Sequence, residues 1–354
     1  MDNLIDVVED LSLAFGVSGF EDPVRERIKD RLNDLNTCFE TDVMGNLTVT
    51  LDQGRDFTVM VDAHMDEVGL MVNCVEEEGW LRFATLGGWD PRILPAHQVS
   101  LLSHQGNVVT GVIGAAPPHV QSPEDQQKPI QLDSLFIDIG SRSKNETEKL
   151  GITVGTPGVL ALPFRRLAGG MFTGKALDDR VGCALLIQLL RHYHAHPPGY
   201  TLVANFAVHE ETGLRGAKTA THRIRPDLAF VVETTTGDTP GTPAHQQPTR
   251  IGCGPAITLA DKNILVRPAL VKAVTETALQ SGIPFQTKRP LTGGTDAGAI
   301  HLSRGGVLTS VLSVPCRYLH SPVGMAYEQD VYHTFSLLRA LLDRAPSIYG
   351  QCAP

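Results

Sequence analysis

Acidic and imidazole side chains repeatedly follow the apolar runs of this chain, and this pattern constrains its fold more than any other feature. Apolar runs that stop at polar residues are typical of buried strands in an open α/β sheet, whose strand ends usually carry the site. Imidazole and carboxylate ligands together suit a hydrolase centre with two metal ions. The pattern therefore predicts an enzyme. Its members are His64-Met65-Asp66, Asp178-Asp179, Glu210-Glu211, Glu233 and His320.

Length, charge and cysteine content narrow the class of protein. A chain of 354 residues can form two domains, or one domain with a large insertion. Its formal net charge of -9, without a block of like charges, argues against nucleic acid or an anionic membrane as a partner. The six cysteines are dispersed and form no C-x-x-C pair, which disfavours a structural zinc knot or a disulfide framework and suits a reducing cytosol. The amino terminus does not resemble a signal peptide and no stretch spans a bilayer, so we expect a cytoplasmic protein without membrane contacts.

The first part of the chain carries the patterns of two helices and then two strands. Apolar residues recur at helical spacing over 4–15 and 22–35. Strand-like patterns follow over 46–51 and 57–63, and the second of them stops at His64. Because alternate residues of a strand share a face, the aspartate two positions after His64 can point the same way.

The sequence pattern in the middle of the chain differs from the pattern at both ends. Residues 70–160 contain short β-like runs broken by turn sequences, including the polar stretch 121–129, and we interpret them as an inserted β domain. Residues 1–69 and 161–354 would then form one discontinuous domain. Helix and strand patterns alternate in its second part, which predicts an α/β fold with a largely parallel or mixed sheet covered by helices. The predicted elements there are helices to about 194 and over 268–280, and strands over 201–208 and 228–232.

Each polar position also has an ordinary structural interpretation. A histidine after an apolar strand, such as His64, is more often a hydrogen-bonded boundary residue than a ligand. Asp178 and Asp179 precede an apolar-periodic helix, and Asp296 precedes another, so all three can cap free N–H groups. Glu233 alone can be a solvated strand end. All of these interpretations would have to hold together for the set to carry no function, and we therefore favour a site.

The adjacent acids Glu210 and Glu211 are the hardest pair to explain structurally. They directly follow the apolar run 206–208, which places two like charges at the rim of a core. Metal chemistry gives a reason for adjacency, since neighbouring residues of an extended segment point in different directions and can divide the roles of ligand and general base. A glycosidase is a poorer fit because its two carboxylates must flank the sugar from opposite sides.

Several longer motifs occur in a fixed order along the chain. They are Ala63-His64-Met65-Asp66-Glu67-Val68-Gly69, Lys175-Ala176-Leu177-Asp178-Asp179-Arg180, Glu210-Glu211-Thr212-Gly213-Leu214-Arg215-Gly216-Ala217, Asp238-Thr239-Pro240-Gly241, Gly293-Gly294-Thr295-Asp296-Ala297 and Arg317-Tyr318-Leu319-His320-Ser321-Pro322. In this order they resemble the tetrahedral aminopeptidases, co-catalytic metallopeptidases that include glutamyl and deblocking aminopeptidases and some members labelled endoglucanases. The resemblance implies a catalytic domain like that of the zinc exopeptidases, with residues 70–160 as a small barrel-like dimerisation domain.

The resemblance also implies a ligand set for two divalent metal ions per subunit. His64, Asp178 and Glu233 would hold one ion, and Asp178, Glu211 and His320 would hold the other, so that Asp178 bridges them. Zinc or cobalt would be the expected metals, with manganese as an alternative. A homo-oligomer built from dimers, a dodecamer, is the expected assembly.

The reaction that the resemblance implies is the removal of N-terminal residues from short peptides. Glu210 would be the general base for a water bridging the two ions, and Asp66 would orient the proton-handling groups. Thr295 and Asp296 would lie near the substrate.

Three departures from the family pattern leave alternatives open. Glu233 stands where the family usually has aspartate, Gly324 stands where it often has an acid, and His209 is an uncommon neighbour of the glutamate pair that could line a specificity pocket or pack against the strand. The alternatives are a metal-dependent deacylase or amidase acting on a small non-peptide substrate, and a non-catalytic assembly protein that keeps the fold.

Overall fold

The computed structural model describes residues 3–35, 37–122, 124, 128 and 130–353. Most of the predicted polar stretch 121–129 therefore lies outside the described residues. The strands are β1 (Phe39–Thr41), β2 (Leu47–Leu51), β3 (Thr58–His64), β4 (Gly69–Val75), β5 (Leu81–Leu86), β6 (Gln98–Leu102), β7 (Val108–Ile113), β8 (Ile137–Asp138), β9 (Pro157–Leu160), β10 (Arg165–Arg166), β11 (Met171–Gly174), β12 (Thr201–Ala207), β13 (Leu228–Thr236), β14 (Ala256–Thr258), β15 (Gln286–Lys288), β16 (Leu308–Arg317) and β17 (Gly324–Tyr327).

The described residues also form nine α-helices. Among the described residues, none of them combines the length and apolar character needed to cross a lipid bilayer. They are α1 (Leu4–Leu13), α2 (Asp22–Leu32), α3 (Lys144–Lys149), α4 (Leu177–Ala195), α5 (Arg215–Ile224), α6 (Pro268–Gln280), α7 (Ala297–Ile300), α8 (Glu328–Leu342) and α9 (Ala345–Cys352).

A mixed sheet forms the larger part of the molecule. Over the described residues it has 11 strands in the order β1-β2-β12-β3-β13-β16-β17-β11-β10, with β14 and β15 attached through β16. The central strands β12, β3, β13 and β16 are parallel, whereas β2 and β17 join antiparallel. Every residue of β12 is buried, as expected for a strand covered on both faces. The prediction of an α/β fold with a mixed sheet flanked by helices is confirmed.

Apart from two sites, the element boundaries agree with the sequence patterns to within three residues. β13 was predicted to end at residue 232 but continues to Thr236, because it stays paired in parallel with β16 as far as Cys316. Glu233 is therefore inside a strand, and its description as a strand-end acid is corrected. The apolar run after Asp296 forms only the short helix α7, and no hydrogen bond from the Asp296 side chain caps it, so the capping interpretation is wrong for that residue.

A second body, the barrel, is formed by the segment between β3 and β10. Its strands close in the order β4-β5-β8-β7-β6-β9 around an apolar cluster of their own. The chain enters and leaves side by side, since Leu70 pairs with Gly158 and Met71 pairs with Pro157. The indole N–H of Trp89, which follows β5, donates to the carbonyl of Gly69 at 3.1 Å and ties the loop after β5 to the start of β4.

A buried arginine joins the elements that carry the site. Arg180, fully buried near the start of α4, donates from Nε to the carbonyl of Met65 at 2.7 Å and from Nη1 to the carbonyl of Leu11 at 2.6 Å. Its Nη2 lies 3.3 Å from the Glu67 carboxylate, which also accepts from Lys175 Nζ at 2.7 Å. Buried charges that are paired and hydrogen-bonded in this way specify one arrangement of their surroundings. The loop after β3 is thereby fixed against α1 and α4.

Candidate metal centre

The predicted polar residues converge where the central parallel strands end. β3 and β12 run in register as far as His64 and Ala207, so the segments that follow them leave the sheet together. The start of α4 and the loop after β16 reach the same edge. Carboxyl ends of parallel strands form the usual crevice for a site in such sheets.

His64 lies at the centre of the first group. Its ring is 2% exposed, and Nε2 lies 3.3 Å from Asp178 Oδ1 and 3.5 Å from Glu233 Oε1. On the other side of the ring, Nδ1 is 3.0 Å from the main-chain oxygen of Asp66. A proton on Nδ1 directed at that carbonyl leaves Nε2 with a lone pair facing the two carboxylates, which is the arrangement that metal-ligating histidines use.

Asp178 connects this group to a second one. Its other oxygen, Oδ2, lies 3.6 Å from His320 Nε2, and the same imidazole nitrogen lies 3.4 Å from Glu211 Oε2. The ligand atoms of His64, Asp178 and Glu233 lie within 4.8 Å of one another, and so do those of Asp178, Glu211 and His320. The structure thus brings all five predicted ligands together in two triads that share Asp178.

The chemistry of the donor set fits cations. Asp178 Oδ1 is buried and has no hydrogen-bond partner among the described residues, an unfavourable state that a metal ion would relieve. Burial raises the pKa of Glu233 to about 8, and burial together with neighbouring carboxylates raises the pKa of Glu210 and Glu211 well above the usual range. Burial opposes ionisation of Asp178 too, but the nearby His64 imidazole, 3.3 Å from Oδ1, holds the pKa of Asp178 well below its usual value. Crowded, buried carboxylates of this kind are stable as anions only beside positive charge.

The two adjacent aspartates at the start of α4 have different partners. Asp178 and Asp179, joined by a cis peptide bond, both have non-helical backbone angles. Asp179 Oδ1 accepts the N–H of Gly182 at 2.9 Å and so caps the helix. Asp178 faces the two histidines instead. The capping interpretation therefore holds for Asp179 only.

Asp66 accepts hydrogen bonds from the backbone of the glutamate pair. It is fully buried, and its two carboxylate oxygens accept the main-chain N–H groups of Glu210 at 3.0 Å and Glu211 at 3.1 Å. The hydroxyl of Ser18 donates to it at 2.6 Å. Burial opposes its ionisation, but the nearby imidazole of His64 and the hydrogen bond from Ser18 lower the pKa of Asp66. Asp66 thus contacts the backbone that directs both glutamates and lies 3.5 Å from Nδ1 of His64.

A cavity of about 500 Å³ opens beside the two triads. Thr295 is part of its wall, whereas Asp296 is buried behind the wall near Asp62, where burial raises the pKa of Asp296 well above its usual value. His209 does not line this cavity; its Nε2 lies 3.7 Å from Glu21. At Gly324, a Cβ would lie 3.2 Å from the carbonyl of Gly174, so the acid of the family pattern would require this backbone to shift by a few tenths of an ångström.

Several cavity residues were missed by the sequence analysis. Lys288 ends the three-residue strand β15, and Asn263 lies in the loop after β14; neither follows an apolar run or belongs to a recognisable motif. Thr234 follows Glu233 directly, and its place in the cavity wall could have been found only if the continuation of β13 had been foreseen.

The barrel also contributes to the wall of the centre. In the loop after β5, a Cβ at Gly88 would lie 3.1 Å from Nδ1 of His320, and one at Gly87 would lie 3.3 Å from Oε2 of Glu211. Backbone from the barrel therefore packs directly against both ligands. A larger residue at either position would press on the second triad.

Comparison with known proteins decides the family. The model of the M42 glutamyl aminopeptidases matches residues 45–337. The chain belongs to this family. Among its M42 relatives, the putative aminopeptidase FrvX of Escherichia coli (strain K12) is 36% identical over 342 residues, which cover 96% of this chain and 94% of that protein. The lysyl aminopeptidase of Pyrococcus furiosus is 36% identical over 331 residues, 93% of each chain.

Solved structures of M42 relatives have the same fold. The TET aminopeptidase of Thaumarchaeota archaeon SCGC AB-539-E09, from marine sediment, superposes with a TM-score of 0.94 over 99% of both chains at 34% identity. The TET1 peptidase of Pyrococcus horikoshii superposes with a TM-score of 0.87 at 33% identity, covering 96% of this chain and 99% of that one. The resemblance noted in the sequence is confirmed. The M42 chain described here is a peptide hydrolase, a metal-dependent aminopeptidase.

Proposed function

We propose that the enzyme removes N-terminal residues from short peptides at a centre that holds two divalent cations. His64, Asp178 and Glu233 would hold one, and Asp178, Glu211 and His320 would hold the other. The observation that carries this proposal is the position of Asp178, whose two oxygens face one imidazole each, at 3.3 Å and 3.6 Å. A carboxylate that faces two separate sets of ligands is suited to bridging.

The cations, when bound, would polarise the scissile carbonyl and make a water molecule a stronger nucleophile. Glu210 is the side chain for proton transfer: it lines the cavity and its Oε2 lies 4.0 Å from His64 Nε2. It would take the proton of the attacking water and deliver it to the departing amine. Asp66 supports this role by holding the main-chain N–H groups of Glu210 and Glu211, which fixes the direction of both side chains.

Imidazole with carboxylates suits zinc or cobalt, with manganese as the alternative that carboxylate-rich sites accept. Glu233, which replaces the usual aspartate, still reaches within 3.5 Å of His64 Nε2, so the longer side chain is compatible with the ligand role.

We further propose that residues 1–69 and 161–354 form the catalytic domain and residues 70–160 a dimerisation domain. The closed barrel with its own apolar cluster supports a separate domain. The assembly would be a dodecamer built from dimers; a structure of TET1 of Pyrococcus horikoshii is described as a dodecamer. The cytoplasmic location stays a prediction.

The proposed function is tested with a panel of aminoacyl p-nitroanilides and their N-acetylated counterparts. The free amines should be hydrolysed, chelation should abolish the activity, and Zn²⁺, Co²⁺ or Mn²⁺ should restore it. Preferential hydrolysis of the acylated compounds would instead support the deacylase alternative. Stoichiometric metal binding without hydrolysis of any amide would support the assembly-protein alternative, which the complete ligand set disfavours.

A further inference from the structure

Four consecutive main-chain N–H groups in the turn after β12 bond to side chains from distant parts of the chain. The turn comprises residues 208–211 and carries the glutamate pair. Peptide groups shielded from water need such partners, so the shape of the turn depends on these side chains. The acceptors, in order along the turn, are Asn46 Oδ1 at 3.1 Å, Glu21 Oε1 at 3.2 Å, Asp66 Oδ1 at 3.0 Å and Asp66 Oδ2 at 3.1 Å.

Glu21 bonds to the turn rather than to its own helix. It directly precedes α2, where a side chain ordinarily accepts an N–H of the first helical turn, but its carboxylate makes no such cap. The side chain is buried, and a single oxygen, Oε1, accepts the N–H of Gly19 at 2.9 Å as well as that of His209. Glu21 therefore ties the loop between α1 and α2 to the turn after β12.

The backbone that Glu21 holds is strained and directly precedes Glu210. His209 has a φ of 58°, in the left-handed region that residues other than glycine seldom adopt, and such a conformation persists only where its surroundings hold it. Among the described residues, no hydrogen bond holds the Glu210 carboxylate itself, which lies 4.0 Å from His64 Nε2. The direction of that carboxylate thus depends on the backbone of the turn.

We propose that Glu21 is a positioning residue for Glu210, because it stabilises the left-handed conformation at His209 that directs the Glu210 side chain into the metal centre. This inference rests on the proposed function, which takes Glu210 as the base. Asp66 does not supply the same constraint, since its oxygens bond to Ser18 and to the N–H groups of the two glutamates.

The test replaces Glu21 and measures kcat on the metal-loaded enzyme with a free aminoacyl p-nitroanilide. Glu21→Ala should lower kcat by about 10- to 100-fold, the range for misplaced catalytic groups, without changing KM or the bound metal. Glu21→Gln should keep most of the rate, because its amide oxygen can accept both N–H groups. In the chelated protein, hydrogen exchange of the turn amides should be faster in Glu21→Ala than in the wild type. Unchanged exchange or an equal loss of kcat in Glu21→Gln would overturn the proposal.

Asp330→Ala is the matched control. Asp330 is also buried, and its carboxylate also accepts two main-chain N–H groups, those of Gly252 at 2.6 Å and Gly254 at 2.8 Å, two residues that do not line the cavity. Its kcat should equal that of the wild type. A fall as large as that of Glu21→Ala would show a general effect of lost buried support and overturn the specific role of Glu21.

A double-mutant cycle separates this inference from the proposed function. If Glu21 acts through Glu210, adding Glu21→Ala to Glu210→Gln should lower kcat little further. Fully additive losses, or a wild-type kcat in Glu21→Ala, would overturn the role of Glu21 and leave an impaired Glu210→Gln as support for the base. A wild-type kcat in Glu210→Gln would overturn the base and this inference with it.

Thermal unfolding and metal analysis of each variant identify losses that come from misfolding. If Glu21→Ala does not fold, Glu21→Asp takes its place, since the shorter side chain keeps the carboxylate but withdraws it from the His209 N–H. Its kcat should fall while its bound metal stays at the wild-type level. A wild-type kcat in Glu21→Asp, or a fall that follows the loss of metal, would overturn the proposal.

Discussion

In Asp178 and Asp179, the direction of each side chain determines the role of its carboxylate. They are neighbours in sequence, yet one carboxylate caps α4 and the other faces two imidazoles. The same division occurs in the glutamate pair, where Glu211 lies near His320 and Glu210 lies near His64. Asp178 and Asp179 have non-helical backbone angles, and the glutamate pair lies in the turn after β12, so adjacent residues of each pair can face different partners.

Replacing one acid of each pair should separate proton transfer from metal binding. Glu210→Gln removes the proposed base but none of the ligands assigned to the two cations, so metal binding should persist while kcat falls about 10²- to 10⁴-fold. Asp178→Asn removes a ligand of both triads and should lose metal and rate together. Calorimetric titration of metal into chelated protein, with steady-state kinetics on the reloaded enzyme, measures both effects.

A normal kcat in Glu210→Gln would contradict the assignment of the base. Loss of metal from that variant would make Glu210 a ligand, a role its proximity to His64 and Glu211 also allows.

Sequence alone identified the polar residues of the centre but not which atoms face one another. Strand ends and residue types selected His64 and the pairs Asp178-Asp179 and Glu210-Glu211, because parallel strands bring their ends to one edge. The choice of Asp178 and Glu211 as the ligands within those pairs came from the family resemblance. Asp296 has the same residue type in a similar context, yet it is buried behind the cavity. Burial depends on the packing of distant elements, and a local pattern does not contain that information.

At the level of elements, the loop after β5 connects two parts of the fold that the sequence analysis treated separately. Gly88 belongs to the barrel, yet a Cβ on it would lie 3.1 Å from the ring of His320. Lys288 gives a comparable case, since β15 has only three residues and its place in the cavity follows from pairing with β14. Short elements of this kind carry too little periodicity to be predicted.

A methyl group at Gly88 should disturb the centre without unfolding the barrel. Gly88→Ala would place Cβ 3.1 Å from His320 Nδ1, so the ring must shift and we expect weaker metal binding and about a tenfold lower kcat/KM. Gly114→Ala, in the same barrel, is the control because no atom lies within 4 Å of its Cβ and its effect should be small. Equal metal affinities for the two variants would show that the contact at Gly88 has no consequence.

For the whole molecule, the pH dependence of stability should reflect a buried acid outside the ligand set. Glu21 is 4% exposed and accepts main-chain N–H groups of Gly19 and His209. Burial and the charge of Asp66 raise its pKa from 4.5 to about 7, and His209 Nε2 faces it at 3.7 Å. Consider an acid whose pKa is higher in the folded than in the unfolded protein. Below the unfolded pKa it does not change the stability, and as the pH rises from there to the folded pKa it destabilises the folded protein progressively.

The free energy of unfolding of the wild-type protein should therefore fall, relative to Glu21→Gln, by a few kcal/mol between pH 4.5 and 7, at about 1.4 kcal/mol for each pKa unit. Urea unfolding at several pH values, at constant metal concentration, measures the difference. Glu26→Gln is the control, since Glu26 is 62% exposed on α2, and it should follow the wild-type curve. Parallel curves for wild type and Glu21→Gln would mean that folding does not raise the pKa of Glu21.

The sequence predicted the fold class, the mixed sheet and the presence of an inserted β region. Long, strongly apolar runs determined the central strands, and a change of pattern marked residues 70–160. The barrel was expected only from the family resemblance, and the antiparallel edge strands were not predicted, because both depend on pairing between short, distant segments.

The contact of Gly87 and Gly88 with Glu211 and His320 means that the barrel cannot be treated as a detachable module. A shortened chain without it would leave two ligands open to bulk water, and a chimera that carried another relative's barrel would exchange part of the catalytic wall as well. Changes that adapt the barrel to a new partner are therefore constrained by chemistry in the neighbouring domain.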